Sequence, residues 1–484
     1  MVKAEPEKQI SLKLMVIKKR NKVVFAEAGK DFVDVLFSLF TLPLGTIVRL
    51  VREESNMQPI ELGSLTSLYQ SVENLDKEFL STDSSKQMIL RPKNLMEHYC
   101  KSLRLKIDDT EPTEYFVCNN LLKCRSKSPI LISMFKNRRC RCGNMLDRRI
   151  SLGSSYLFDG FVNDSAATFM ITDDLRVVPN SLNIFFDLFK NCGIESMSAV
   201  NEMTVTITKN QVMDLLKSCL ISTITLTSIF LEKPYIEKYR KVEFPPLDVN
   251  ENDSFKINVK IVQRKSNGKV VFAEGKEDFA DFLLSFLTVP LGGVVHLMEG
   301  FSCMYKSILN LDQNYWTTNN VKKVVEPGLV SQLLASNKLS PVLGSKYFCY
   351  TETKYSSTRN RYLSTYYLTL GNENKCTAAD FVDPTLETLG VGNKCTAVDF
   401  VDSKGYVKGP TLYMATDDLV VTPMSTTSVI SLLTTLRIPF TDLEEKLVSI
   451  GIKEGFGILQ ASLTSKSALT TGLSHLINKV KQEN

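Results

Sequence analysis

A chain of 484 residues with 43% hydrophobic and 23% charged residues has the composition of an ordinary globular protein, which excludes the disordered and membrane classes. The net charge of +5 is small for this length and gives no global reason to expect binding to nucleic acid or to a membrane surface. Eleven cysteines, an odd number spread irregularly, fit reduced thiols in the cytoplasm or nucleus better than a disulfide framework.

The N-terminal residues Glu5 and Glu7 lie where a secretory signal would need an apolar run, so we expect no secretion. The most hydrophobic stretch, 219–231, is too short to cross a bilayer, which takes about 20 helical residues. We therefore expect no membrane span and a cytoplasmic or nuclear location.

Residues 22–50 return, lightly changed, at 269–297. Such self-similarity predicts that the chain consists of two tandem homologous repeats. We assign the first copy to residues 1–231, a proline-containing linker without apolar periodicity to 232–255, and the second copy to 256–484.

Each copy is predicted to open with a β-hairpin followed by a buried helix. The segments 11–17 and 22–27 flank a short polar turn at 18–21 and indicate the two strands, and residues 31–40 are apolar on nearly all sides. Pro43 and Gly45 are predicted to end this helix, before a strand at 46–50. A further helix follows in each copy, at 65–75 and 304–312, so the predicted fold class is α+β.

The later part of each copy also repeats. We predict an extended segment with an Asp-Asp turn at 168–179 and again at 412–423. A helix that begins just after a proline follows each segment, at 181–190 and 425–436. The predicted helix-ending glycines are Gly193 and Gly451. A strand is predicted at 203–207, a helix start at the Thr441/Glu444 capping box, and a terminal helix from Leu469 to Val480.

A shorter duplication lies inside the second copy, where residues 374–383 return as 393–402. Added length costs little closure entropy in a surface loop. We interpret both blocks as an expanded loop.

The strongest chemical signal is a set of four cysteines in two pairs, Cys118 with Cys124 and Cys140 with Cys142. A tetrahedral zinc ion binds four thiolate or imidazole ligands, and Gly143 would permit a tight turn beside the second pair. Four thiolates would leave no open position, so any zinc would be structural. The alternative is four ordinary reduced cysteines, because the spacings of five and one residues within the pairs depart from the usual two to four. The second copy lacks this set.

Six basic residues surround the second cysteine pair, in a cysteine-rich basic loop that we place at 118–149: Lys136, Arg138, Arg139, Arg141, Arg148 and Arg149. They could bind phosphates. Only Phe135 is nearby as a stacking aromatic, so a solvated loop is the favoured interpretation and nucleic-acid binding the alternative.

The repeated pairs Asp173-Asp174 and Asp417-Asp418 could divide acid and base roles in catalysis. Adjacent aspartates in a Thr-Asp-Asp-Leu turn more often accept hydrogen bonds from backbone N–H groups, and we favour that role. The three histidines occupy unmatched places in the two copies, so no repeated base activates a nucleophile. We identify no catalytic and no cofactor-binding residue.

Several segments together resemble the plant family known as domain of unknown function 674, namely 22–27, 31–50, the Thr-Asp-Asp-Leu segment and 459–470. The resemblance spans nearly the whole chain. It implies a plant protein, usually duplicated in this way, with no established catalytic residue or cofactor. The four cysteines resemble the cysteine cluster of that family.

Three functional hypotheses follow. The favoured one is a non-enzymatic interaction or scaffold module with a protein partner, since the copies share packing residues and not reactive ones. The second is a nucleic-acid-binding protein that uses the basic cysteine loop. The third is an enzyme that uses the Asp-Asp pairs.

Overall fold

The computed structural model of the protein describes residues 9–54, 62–97, 99–100, 103–124, 130–151, 160–163, 168–221, 224–231, 256–296, 303–317, 329–330, 339, 345–356, 362–371, 393–400 and 405–477. Within these ranges the protein combines helices with mostly antiparallel sheets, which confirms the predicted α+β class. The predicted linker, 232–255, and the first block of the short duplication, 374–383, lie outside the described residues.

The described elements of the first half are, in chain order, β1 (Ile10–Ile17), β2 (Lys22–Ala28), α1 (Lys30–Ser38), α2 (Leu44–Glu54), α3 (Gly63–Asn74), α4 (Ser85–Leu90), β3 (Tyr115–Cys118), α5 (Leu121–Cys124), β4 (Ile130–Ser133), β5 (Arg138–Arg139), β6 (Met145–Ile150), β7 (Phe169–Thr172), β8 (Val177–Pro179), α6 (Leu182–Asn191), β9 (Val200–Ile207), α7 (Lys209–Ile221) and α8 (Thr225–Phe230).

Those of the second half are β10 (Ile257–Arg264), β11 (Val270–Gly275), α9 (Glu277–Ser285), α10 (Leu291–His296), α11 (Cys303–Asn310), β12 (Leu329–Val330), β13 (Ser345–Ser356), β14 (Tyr362–Gly371), β15 (Asn393–Phe400), β16 (Tyr413–Thr416), β17 (Val421–Pro423), α12 (Thr426–Leu436), β18 (Leu443–Ile450), α13 (Ile452–Thr464), α14 (Ala468–Gly472) and α15 (Ser474–Ile477). Short 3₁₀ helices follow α1 and α9 directly, at Leu39–Thr41 and Phe286–Thr288.

Two five-stranded antiparallel sheets have the same strand order. The first runs β8-β7-β2-β1-β9 and the second β17-β16-β11-β10-β18. The predicted hairpins are β1–β2 and β10–β11, and each has a register shift at the corresponding place, after Met15 and after Val262. Helices α1 and α9, apolar on nearly all sides, are buried against the inner faces of these sheets, as predicted.

The predicted strand at 46–50 is wrong, because these residues belong to helix α2. The first helix does end just before Pro43, since its 3₁₀ extension stops at Thr41, but Pro43 leads directly into α2, which contains Gly45. Helix α2 buries Ile47, Val48 and Val51 in the core. The β-branched residues that suggested a strand are tolerated here because burial outweighs their weak local preference.

The helix start predicted at Thr441 and Glu444 is also wrong. A short 3₁₀ helix, Phe440–Asp442, leads into strand β18, where the Glu444 carboxylate accepts a hydrogen bond from the Gln263 side chain. Gly193 follows α6 with a φ of +66°, as a helix-ending residue should. Gly451 does the opposite and caps the start of α13.

Two further expectations change at the C-terminal side. The second block of the short duplication is not a loop, because Asn393–Phe400 forms strand β15 and pairs with β13 and β4. The predicted terminal helix is divided into α14 and α15, although its apolar residues Leu469, Leu473 and Ile477 are buried as expected.

A third sheet joins the two halves. Its order is β12-β13-β15-β4-β3-β6-β5, with β14 paired to β13, and the junction between the halves is the parallel pair β15–β4. The sheet therefore carries the cysteine-containing segment of the first half alongside strands of the second.

Each half also packs one of its helices against the other half. Helix α3 packs on α13, and its Ser64 N–H donates to Ser465 O over 2.9 Å. Correspondingly, α11 packs on β8, where the Ser307 hydroxyl accepts a 2.8 Å hydrogen bond from Val177 N. Most of the apolar core is consequently one cluster to which both halves contribute.

The Pro-Leu-Gly turns meet where the halves face each other. Pro43 and Pro290 form an antiparallel bridge, flanked by hydrogen bonds from Leu44 N to Val289 O and from Leu291 N to Leu42 O. A Cβ atom added to Gly45 would lie 2.9 Å from the backbone oxygen of Leu287. Glycine at position 45 therefore permits this close approach of the two backbones.

Candidate metal centre

The four predicted cysteine ligands come together in the first half. Cys118 ends β3, Cys124 ends the short helix α5, and Cys140 and Cys142 lie in the turn between β5 and β6. We refer to residues 118–149 as the cysteine knuckle, of which 125–129 lie outside the described residues. The unusual spacing within the first pair is explained by α5, a single helical turn that returns Cys124 to the end of β3.

The sulfur atoms surround a space that fits one ion. Cys124 Sγ lies 3.4 Å from Cys118 Sγ, 3.5 Å from Cys140 Sγ and 3.2 Å from Cys142 Sγ, and all four sulfurs lie within 4.8 Å of one another. A tetrahedral zinc ion with bonds of about 2.3 Å would hold its sulfur ligands about 3.8 Å apart. These separations are far longer than the 2.0 Å of a disulfide bond, and the cysteines are free thiols.

The turn that carries the second pair favours the thiolate form of Cys142. Gly143 has a φ of +87°, and its N–H donates to Cys140 O, which closes a tight turn. A backbone hydrogen bond from Asn144 lowers the pKa of Cys142 to about 6, with help from a thiol hydrogen bond from Cys124 and from the Asn144 side chain, 3.4 Å away. Burial raises the pKa of Cys118 and of Cys124. A bound cation would reverse that effect, because metal ligation deprotonates thiols.

A small apolar cluster separate from the main core supports the knuckle. It contains six buried residues, three of which are the ligand cysteines: Phe116, Cys118, Cys124, Leu131, Cys140 and Leu146. A cluster of this size buries too little apolar surface to hold a loop-rich segment in one conformation. A structural metal ion is the usual means of stabilising such a segment.

One of the six basic residues has a structural role. The Arg138 guanidinium donates a hydrogen bond to Ser84 Oγ, next to helix α4, and lies 5.9 Å from the centre of the Phe135 ring. Arg149 pairs with Glu114 over 2.9 Å. Arg138 therefore fastens the knuckle to the body of the first half, and the single nearby aromatic is already occupied.

One aspartate of each Asp-Asp pair accepts hydrogen bonds that hold neighbouring segments together. Asp173 is buried, and its carboxylate accepts 2.8 Å hydrogen bonds from Thr227 N and Thr227 Oγ1. Asp417 accepts in the same way from Thr470 N and Oγ1. Burial raises the pKa of Asp173 to about 6, against the opposing effect of these donors. The favoured turn interpretation agrees with this geometry, because Asp173 and Asp417 each accept a hydrogen bond from a backbone N–H group.

Replacing Asp173 by Ala should therefore lower stability rather than an activity. The change leaves the buried Thr227 N–H without its acceptor, which costs about 1–3 kcal/mol of unfolding free energy. Urea denaturation would measure the loss, and Asp187→Ala, at an exposed position of α6, is the control with an expected change below about 0.5 kcal/mol. Equal effects of the two substitutions would contradict the assigned role of Asp173.

Sequence reasoning missed a second pair of buried carboxylates. Asp34 Oδ1 accepts hydrogen bonds from Phe161 N and Val162 N, both 2.8 Å, and Asp281 Oδ1 accepts from Tyr406 N and Val407 N at 2.7 and 2.9 Å. Burial raises the pKa of each to about 6. The signal was present, because an acid recurs at the same position of an otherwise apolar helix in both copies.

The described parts of the chain bring the histidines to no common site. His475 Nε2 lies 3.0 Å from Glu454 Oε1 at the C-terminal end of the chain, and His98 is outside the described residues. A cavity of about 100 Å³ lies beside Cys100 and Glu97, where both carboxylate oxygens of Glu97 accept hydrogen bonds from Thr113 N. Burial raises the pKa of Cys100 to about 12, so its thiol is no nucleophile at neutral pH.

The fold and the site define an α+β protein with two sheets of equal strand order and one four-cysteine group that could hold a metal ion. The chain belongs to the family described as Protein of unknown function (DUF674), whose sequence profile matches residues 6–453. No curated protein and no solved structure matches the chain. None of its described helices is both long enough and apolar enough to span a membrane.

Proposed function

We propose that this chain is a non-enzymatic interaction module of the plant cytoplasm or nucleus, formed by tandem duplication and stabilised by one structural zinc ion. The observation that carries the proposal is that the two halves have the same sheet order and the same buried carboxylate contacts. These shared features are structural, and the matched polar groups are engaged by the backbone.

Exposed apolar side chains at equivalent places support a protein partner. Helix α6 leaves Phe186 63% exposed, and α12 leaves Ile430, at the matching position, 52% exposed. The residue that opens the next 3₁₀ helix is again apolar in both halves, with Met197 56% and Phe440 73% exposed. Large apolar side chains that stay exposed on matching helices are typical of surfaces that contact other proteins.

The geometry of the knuckle supports zinc as its ion. Sites in which thiolates occupy all four tetrahedral positions bind zinc or iron–sulfur centres. Sulfurs within 4.8 Å of one another leave room for a single ion. Four protein ligands leave no position for a substrate. The ion would hold β3, α5 and the β5–β6 turn together.

The interaction hypothesis can be tested by affinity capture from plant extract at salt near 0.15 M. The double variant Phe186→Asp/Ile430→Asp should lose the partners that the unchanged chain retains, because a charge at the centre of an apolar contact costs about 2 kcal/mol or more, which is roughly 30-fold in affinity. Leu309→Asp, at an exposed position of α11, is the control and should retain them. A failure to find any reproducible partner, or equal capture by all three chains, would reject the proposal.

A further inference from the structure

The positive charge of the chain is concentrated in the cysteine knuckle. Residues 118–149 contain nine Lys and Arg residues and one acid, Asp147, which gives +8, whereas the remaining residues contain 49 Lys and Arg and 52 Asp and Glu, which gives −3. The small net charge of the whole chain therefore hides a strongly basic segment in a protein that is otherwise slightly acidic.

At least three of these cations are exposed to solvent on or beside one pair of strands. Lys136, Arg139 and Arg148 are exposed, and they lie on or beside the β5–β6 ribbon. Arg139 faces Met145 in the ribbon, and Arg148 is three residues further along β6, about 10 Å at the usual rise per residue. The four-cysteine group lies in the turn at the end of this ribbon, between β5 and β6.

Among the described residues from Lys136 to Asn144, the exposed positions include no large apolar side chain. From Lys136 to Asn144, the exposed residues besides the cations are Asn137, Cys142, Gly143 and Asn144. Protein interfaces centre on apolar and aromatic side chains, whereas surfaces that contact nucleic acid are polar and positively charged. Arg138 lies over the Phe135 ring and occupies a face that could otherwise stack on a splayed base.

We propose that the basic face of the knuckle binds the phosphate backbone of duplex nucleic acid, without reading base sequence. Duplex DNA presents one negative charge per about 1.7 Å of its axis, so the 10 Å between the ribbon cations spans about six phosphate charges. Arg, the commoner cation here, matches phosphate oxygens in a bidentate manner. This binding goes beyond the proposed protein interaction and uses a different surface.

The test is binding of the full-length chain to short mixed-sequence duplexes of DNA and of RNA, and to the corresponding single strands, across a salt series. Neutralisation of about three phosphates on DNA predicts a slope of log K against log salt near −2.7, which is a loss of about 40-fold between 0.05 and 0.2 M salt. The triple variant Lys136→Gln/Arg139→Gln/Arg148→Gln should lose binding to all duplexes. Single strands, which have lower charge density and find no stacking surface, should bind more weakly.

A charge-matched control is Lys19→Gln/Lys306→Gln/Lys453→Gln, which removes three exposed cations from other elements and should bind as the unchanged chain does. An unchanged zinc content in the knuckle variant would show that the metal site is intact, and partner capture in parallel keeps this test separate from that of the interaction module. Equal loss in both triple variants, or binding of polyglutamate in preference to duplexes, would overturn the proposal. A salt-independent affinity would do so as well.

Discussion

One zinc ion per chain is expected in the purified protein, and Cys124→Ser should remove it completely. Cys124 is buried, and its sulfur lies within 3.5 Å of the other three, so no neighbouring group can take its place. Structural zinc in small domains contributes an apparent 10–16 kcal/mol of binding free energy at pH 7, which is also folding free energy of the segment that holds it. Elemental analysis by mass spectrometry would measure the zinc content.

The loss of zinc should unfold the β5–β6 part of the knuckle and leave the two five-stranded sheets intact, whereas β4 is held by the main core through Ile130 and Ile132. The apolar cluster under the knuckle is separate from the main core, so amide protection should disappear in β5 and β6 and persist in β1 and β10. Cys192→Ser is the control, because Cys192 is a free cysteine outside the four-cysteine group. This variant should retain one zinc. A metal-free wild-type protein in which β5 and β6 are nevertheless protected would show that the four thiols need no ion.

Phe37→Ala is expected to destabilise the whole protein by about 3–5 kcal/mol. Phe37 of α1 is fully buried and stacks on Trp316 of the second half, with ring centres 5.5 Å apart and an angle of 17° between the ring planes. Its removal would leave a cavity between the halves and also remove an aromatic contact worth about 0.5–1.5 kcal/mol.

The protein provides its own probe for this measurement, because Trp316 is the one tryptophan of the chain. Its fluorescence during urea unfolding reports the contact directly, and we expect a single transition detected both by fluorescence and by circular dichroism. Phe186→Ala, the same substitution at an exposed position of α6, should change the unfolding free energy by less than about 0.5 kcal/mol. Two separate transitions would mean that the halves fold independently, against the shared core.

Local sequence patterns predicted the elements whose periodicity is strong. The alternation in β1 and β9 and the all-round apolar character of α1 each specify one burial pattern, and the structure has it. The four cysteines were identified as a group from residue type alone, although the turn of α5 that brings Cys124 to Cys118 was not foreseen.

The errors share a physical cause, which is that tertiary contacts decided between local alternatives. Residues 46–50 are helical because α2 fits between the two halves, and Thr441 and Glu444 do not cap a helix because β18 completes the second sheet. The pairing of β15 with β4 joins residues that are more than 260 positions apart, and no local pattern encodes such a contact. Asp34 and Asp281 were missed although an acid recurs at the same position of both helices, because the backbone N–H groups that they bind lie more than 120 residues away in the sequence.

Because α3 and α11 each pack against the opposite half, each half contributes to the hydrophobic core of the other. Removal of either half would strip the other of a packed helix and expose its hydrophobic core to water, so we expect neither half to fold alone. The cysteine knuckle shares in this mutual dependence, because its strand β4 buries Ile130 and Ile132 in the main core and pairs with β15 of the second half. A metal ion bound to the four cysteines would therefore stabilise, from within the first half, a sheet that both halves build.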